Sequence, residues 1–392
     1  MPGWEFIDNK ERNAINKLFR FKKNIINKPI FKSNVKVIEF EKKFAEYVGA
    51  KYSVCVSSGT AAIKVALKSA NIGPGDEVIT QSFTFVAVVE AIIDVGATPI
   101  ITEINETLNM CPKDLKKKIT KKTKAIIPVH MLGVAAEIDE INKIAKKNKI
   151  LVIDDNCESL GAKWNNKTLG NQTDICTWSF DNGKTMTTGE GGMITTNNKN
   201  LFELCREYRD HGHENNPKFP RGKDTHRIPG FNYRVSEIVG AVGLVQLKKM
   251  PKILSQNKKY YKMYEKVLNK YKDIELRKIP KQNIPLMDCI IFNFKNKKIA
   301  ALFLKEMNKF KIATKNIPDA LEWHFAKYWD HIFKQQGINK KKLLNKFPKS
   351  NFYLEKSIAI FIYASESSKK VQNKIKNIEK ILNDFREKKI LT

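Results

Sequence analysis

The 392-residue sequence holds six cysteines, at positions 55, 111, 157, 176, 205 and 289, and no two stand at CxxC spacing. That excludes the usual zinc and dithiol motifs and fits scattered, reduced thiols. No metal site is expected. No run of about 18 apolar residues occurs, so no membrane insertion is expected. The opening "MPGWEFIDNKERNAINKLF" is charged and amphipathic, without the apolar core or small-residue cleavage site of a secretory signal, and the expected setting is cytoplasmic. Arginine is scarce too: nine of the 71 basic residues, the rest being lysine. Arginine carries most bidentate recognition of phosphates and bases. A net charge of +30 therefore reads as a lysine-biased, solvated surface, and no nucleic-acid partner is expected. Such a surface also helps to attract anionic substrates.

What is present suffices for a full core: 42% of residues are hydrophobic and 10% aromatic. "KVIEFEKKFAEYVGA" has apolar residues at helical spacing and ends in glycine. "YSVCVSSGTAAIKVALKSANIGPGDEVITQS" reads strand, turn, helix, turn, strand. "ATPIITEI", "TKAIIPVHMLG" and "KILVIDDNC" have the length and the Ile/Val content of buried strands, with the amphipathic helix "EIDEINKIAKKN" between the last two. The alternation predicts an α/β fold with a mostly parallel central sheet and helices on both faces. Ligands gather at the carboxyl ends of such strands. From about residue 236 a long helical region follows, with Ser236 as its cap and an interruption expected at Pro251. "DCIIFNF" and "SIAIFIYA" then predict strands of a smaller C-terminal α/β domain. The expected division is 1–250 and 251–392.

Four segments end a predicted strand or open a helix with chemically useful groups. In "SSGTAA", Ser58, Gly59 and Thr60 offer hydroxyls, free backbone N–H groups and the positive end of a helix dipole, which suits a phosphate; an ordinary capped helix start reads equally well. In "VIDDNCESLGA", Asp154 and Asp155 close a strand of branched residues, with Glu158 three residues on. A carboxylate there needs a partner, either a protonated ring nitrogen or the N–H groups of a helix that it caps. In "SFDNGKTMTTGEGGM", Ser179 is followed by Lys184 and a glycine-rich turn. A lysine in a partly desolvated site can form an imine with a carbonyl, although a plain hairpin would also explain the glycines. In "GFNYRVSEIVGAVGLVQL", Asn232, Tyr233 and Arg234 precede a helix. A phosphate cradle, a carboxylate for a ring nitrogen and an imine-forming lysine beside a serine are together what pyridoxal 5′-phosphate requires.

These segments, with "FAEYVGAKYSVCVSSGTAAIKVAL", "GPGDEVIT", "PVHMLG", "LGNQTDICTWSF" and "GEGGMITTNN", resemble the DegT/DnrJ/StrS family of sugar aminotransferases, which are fold-type I pyridoxal-phosphate enzymes. The resemblance implies that Lys184 is the Schiff-base lysine, that Asp155 pairs with the pyridine nitrogen and that Glu158 sits beside the ring, where Gln or His is more usual. Phe85 would stack on the ring, and Ser58, Gly59, Thr60 and Ser179 would bind the phosphate. Asn232 would reach the same phosphate from a neighbouring subunit, making a homodimer with shared active sites. His130 lies in a family motif without a catalytic role.

The implied reaction moves an amino group from glutamate to a keto or aldehyde sugar for surface polysaccharide such as lipopolysaccharide. The start "MPGWE", "DHGHE", "NYRVSE" and "EWHFAKYWDHI" are similar to the family's 8-amino-3,8-dideoxyoctulosonate transaminases, which would make the acceptor 8-oxo-3-deoxyoctulosonate; a nucleotide-linked ketosugar is the broader expectation. His211, His213, Trp323 and His324 are candidate substrate contacts. One branch of the family carries histidine at the lysine position and removes a 3-hydroxyl. That sugar 3-dehydratase is the alternative, which Lys184 opposes. A basic binding protein that has lost the chemistry is a third reading, opposed by the intact Lys184, Asp155 and phosphate turn.

Overall fold

The computed structural model describes residues 3–19, 35–334 and 346–391. The strands β1 (Tyr52–Val56), β2 (Glu77–Gln81), β3 (Thr98–Thr102), β4 (Thr123–Ile127) and β5 (Leu151–Asp155) come first along the chain. A short hairpin of β6 (Lys163–Trp164) and β7 (Lys167–Thr168) follows, then β8 (Ile175–Ser179) and β9 (Gly192–Thr196). Seven of them form one sheet in the order β1-β9-β8-β5-β4-β2-β3. The four pairs from β8 to β3 are parallel, and β9 runs antiparallel to both its neighbours. A single reversed strand thus sits in an otherwise parallel sheet.

The strands are buried along nearly their whole length because both faces are covered. Alternate residues split cleanly. Val54, Val56, Ala125, Ile127, Ile153 and Ile175 pack with the helices Gly59–Ser69 and Ala87–Asp94. The residues between them face the other way: Cys55, Cys176 and Trp178 pack with Phe40 and Phe44 of helix Val35–Val48. Ile126 and Val152 pack with Ile141 and Ile144 of helix Ile138–Asn148. The expected α/β architecture is therefore present, with helices on both faces.

After residue 268 come β10 (Glu275–Leu276), β11 (Asn283–Ile284), β12 (Cys289–Asn293) and β13 (Ser357–Phe361). β11 joins the β6–β7 hairpin, and β10-β12-β13 form an antiparallel sheet. Phe292, Phe294 and Phe303 centre its core, against Ile378, Ile381 and Phe385 of the C-terminal helix Ser368–Glu387 and against Tyr260 and Tyr264.

Two local expectations fail. Pro251 does not interrupt the helix, which is continuous from Glu237 to Leu268 and carries Pro251 inside it, across the expected 250/251 boundary. An internal proline costs about 3 kcal/mol. Here Met250, Ile253, Tyr260, Tyr261 and Tyr264 are buried along the same helix, each worth on the order of 2 kcal/mol, so packing outweighs the lost bond. Ser236 stands at the N-cap position, but its side chain makes no capping bond. Glu237 beside it serves a different helix: its carboxylate accepts from the backbone N–H groups of Lys36 at 2.7 Å and Val37 at 3.4 Å, at the start of Val35–Val48. No helix among the described residues is long and apolar enough to cross a membrane.

Candidate active site

The carboxyl ends of β1, β2, β4, β5 and β8 open into one cavity of 400 Å³. Its wall brings together Ser58, Gly59, Thr60, Phe85, Asp155, Glu158, Ser179 and Lys184, from segments up to 126 residues apart in sequence.

One end is built for an anion. Ser58 is the N-cap of helix Gly59–Ser69, and its Oγ accepts from the Ala61 N–H at 3.0 Å. The N–H groups of Gly59 and Thr60 have no helical acceptor, by position in the first turn. Two glycines permit the packing behind them. A Cβ on Gly59 would stand 2.8 Å from Ser179 Cβ and 3.0 Å from Cys157 Sγ. One on Gly192 would stand 2.2 Å from the Ser58 carbonyl oxygen. The serine turn and the tip of β8 therefore touch, which places Ser179 beside the helix start.

Of the two aspartates only Asp155 lines the cavity. Strand alternation turns Asp154 to the opposite face, where its Oδ2 lies 3.3 Å from His130 Nε2, both side chains fully buried. Asp155 Oδ1 accepts from the Cys157 N–H at 2.9 Å, and no helix starts there, so the helix-cap alternative is excluded. Burial raises the Asp155 carboxyl above its ordinary range, opposed by the Cys157 N–H and the nearby Lys184 ammonium.

Lys184 lies in the turn after β8, its N–H donating to the Asp181 carbonyl at 3.0 Å. Its side chain is 21% exposed, and its Nζ is 4.0 Å from Glu158 Oε1. Glu158 is tied down on both oxygens: Oε2 accepts from the Leu132 N–H at 3.0 Å and Oε1 from Asn316 Nδ2 at 3.2 Å. Burial alone would raise its pKa, but Lys184, Lys315, His324 and the Leu132 N–H together bring it down to about 2. Glu158 is thus a fixed negative charge where Gln or His would be neutral.

Phe85 lies over the opening, 44% exposed, its ring centroid 5.3 Å from that of His324. His324 also lines the cavity. Its Nδ1 is 2.8 Å from the Ala320 carbonyl oxygen, so Nδ1 carries the proton. Burial lowers its pKa, opposed by Glu158. Trp323 is 60% exposed and outside the lining, although its carbonyl accepts from the Val86 N–H at 3.0 Å.

His211, His213 and Asn232 do not reach this chain's cavity. They form a separate group, joined by a bridge between Asp210 and Asn232. The His211 N–H donates to the Phe231 carbonyl at 3.1 Å, His213 Nδ1 is 3.2 Å from Asp224 Oδ2, and Asn232 Oδ1 accepts from Arg234 Nε at 3.0 Å.

Sequence reasoning missed Asp181, Lys315 and Asn316 in the wall. Asp181 had a signal: "DNG" is turn chemistry, and its Oδ2 accepts from the Gly183 N–H at 2.9 Å. Lys315 and Asn316 had none. They arrive through a bond from the Lys315 N–H to the Ala359 carbonyl at 2.9 Å, on β13. Lys315 itself is buried against Asp288, Nζ to Oδ2 2.6 Å.

Residues 16–379 match the model of the DegT/DnrJ/EryC1/StrS aminotransferase family. The chain belongs to this family. A GDP-perosamine synthase from Escherichia coli O157:H7 is 40% identical over 232 residues, which are 59% of this chain and 62% of that one. The matched part is therefore about three-fifths of that relative's length. The spore coat polysaccharide biosynthesis protein SpsC of Bacillus subtilis is 30% identical over 353 residues, 88% of this chain and 90% of that one. The aminotransferase from Psychrobacter cryohalolentis superposes with a TM-score of 0.85 at 24% identity, covering 97% of this chain and 98% of that one, and so shares the fold.

Proposed function

We propose that this family member is a sugar aminotransferase dependent on pyridoxal 5′-phosphate. The observation that carries the reading is the single cavity in which an anion cradle, a buried aspartate and a lysine face one another. The cofactor is pyridoxal 5′-phosphate, and the donor set fits each part of it. Ser58, Gly59, Thr60 and Ser179 would hold the phosphate, Phe85 would lie on the ring, and Asp155 would keep the ring nitrogen protonated. When bound, the cofactor takes up the electron pair that a substrate carbon must carry briefly during amino transfer. Lys184 would anchor the cofactor at rest, and its Nζ would then carry the proton that amino transfer requires. Glu158 sits beside the ring as a charge held by Leu132 and Asn316.

Glutamate is the amino donor, and a keto or aldehyde sugar destined for surface polysaccharide is the acceptor, in the cytoplasm. The match to a GDP-perosamine synthase supports a nucleotide-linked sugar, whereas "MPGWE" and "DHGHE" support 8-oxo-3-deoxyoctulosonate. The test is to convert the bound cofactor to its amino form with glutamate and offer both kinds of acceptor. Return of the resting spectrum with one kind names the class, and return with neither excludes both. Lys184 favours transfer over the 3-dehydratase reaction. The smaller unit is built on the C-terminal half of helix Glu237–Leu268.

The group Asn232, His211 and His213 completes a partner's cavity in a homodimer. If Asn232 acts on the partner's site, mixing Lys184→Ala with Asn232→Ala chains should restore about a quarter of wild-type activity, since half of random dimers are mixed and each has one intact site. Two inactive parents that stay inactive after subunit exchange would place Asn232 outside the partner's site.

A further inference from the structure

The stretch Gly3–Phe6 holds no place in the cavity described above, yet it lies directly behind the lysine loop. The Gly3 N–H donates to the Lys184 carbonyl at 2.7 Å. Gly3 is buried, and a Cβ there would stand 2.8 Å from the carbonyl oxygens of both Lys184 and Thr185. Backbone cannot yield as a flexible side chain can, so glycine is required for this approach. The space between the stretch, Thr185, Ile253, Asn257 and Ala364 amounts to 10 Å³, room for one water at most.

The stretch is tied at its other end. The Glu5 carboxylate accepts from the Ser365 hydroxyl. The Phe6 carbonyl accepts from Lys249 Nζ at 2.5 Å, and the same ammonium is 2.7 Å from Glu11 and 3.1 Å from Asp8. Asp8 and Glu11 in turn form a reciprocal cap on helix Asn9–Leu18, which starts three residues after Phe6. Lys249 belongs to the helix Glu237–Leu268, and Ser365 follows β13. The lysine turn itself is exposed at Asn182. Gly3 holds its backbone at the Lys184 carbonyl.

We propose that Gly3–Phe6 is a strap that positions Lys184, with Gly3 as the positioning residue and Glu5 and Lys249 as its anchors. The strap fixes the backbone from which the lysine side chain must reach the cofactor carbonyl, and a displacement of about 1 Å at such a point can cost on the order of a hundredfold. The proposal rests on Lys184 being the cofactor lysine.

The test compares two probes on the cofactor-free full-length protein. Pyridoxal phosphate can bond to Lys184; pyridoxamine phosphate, which fills the same space, cannot. For Gly3→Ala, affinity for pyridoxal phosphate should fall by about tenfold or more, while affinity for pyridoxamine phosphate stays at the wild-type value. Glu5→Ala, which leaves Gly3 in place, should give a smaller loss with the same split, and it decides the matter if Gly3→Ala does not fold. An equal loss for both probes, or a loss for neither, overturns the strap. Lys184→Ala is the separate control: if it keeps the wild-type preference for pyridoxal phosphate, the lysine assignment fails, whatever Gly3→Ala does.

Discussion

Lys184→Ala should bind pyridoxal phosphate without showing the internal-imine absorbance band and should lose at least about 10⁴-fold in the rate of amino transfer. The size follows from two proposed roles lost together, covalent anchor and proton carrier. No neighbour can take over. Lys315 is the other ammonium in the wall, but it is buried and held by Asp288 at 2.6 Å. Lys184 Nζ, by contrast, has its nearest ion-pair partner at 4.0 Å, close enough to balance Glu158 and far enough to leave the amine available. Lys184→Arg separates charge from chemistry. It keeps a cation beside Glu158, so the fold should hold, yet it should be as inactive as the alanine variant. Absorbance spectra and single-turnover rates read both. A Lys184→Ala protein that still showed the internal-imine band would put the anchor elsewhere.

Asp155→Asn should retain the fold and lose about 10²- to 10⁴-fold in the same rate. The amide oxygen can still accept from the Cys157 N–H, as Oδ1 does at 2.9 Å, so the turn survives. What is lost is the negative charge proposed to hold a proton on the ring nitrogen. The pH dependence has a defined sign. Burial raises the proton affinity of the Asp155 carboxyl. Pairing with a protonated ring requires the carboxylate, so cofactor binding competes with protonation of Asp155. Wild-type affinity should therefore weaken as pH falls through that raised pKa, and the Asn variant should lack this limb. Equilibrium titrations from neutral pH downward measure it. An acid limb that persists in Asp155→Asn would assign the titration to another group.

The sequence made legible those features that rest on local chemistry. β1, β5 and β8 were readable because each is a short, largely apolar run, β1 followed by Ser57, β5 ending at Asp155 and β8 at Ser179, and the carboxyl ends of parallel strands converge. The Asp154/Asp155 ambiguity was half soluble: alternation dictates that the two face opposite ways, but which one meets the cavity depends on how the strand is set in the sheet. His324 reached the wall while Trp323 beside it did not, for want of any local signal about which side of that turn faces inward. Lys315 and Asn316 were invisible, because a strand more than 40 residues later in the chain places them. The break expected at Pro251 failed for the same reason: the apolar faces that override the proline's cost are long-range contacts. His211, His213 and Asn232 were grouped by the fold, away from this chain's own cavity.

The most direct test of the central claim is the absorbance of the purified, cofactor-loaded protein as glutamate is added with no sugar present. The account predicts a yellow protein whose visible band disappears in favour of the ultraviolet band of the amino form, with one equivalent of 2-oxoglutarate released per site. A colourless protein, or a yellow one whose spectrum glutamate leaves unchanged, would contradict it.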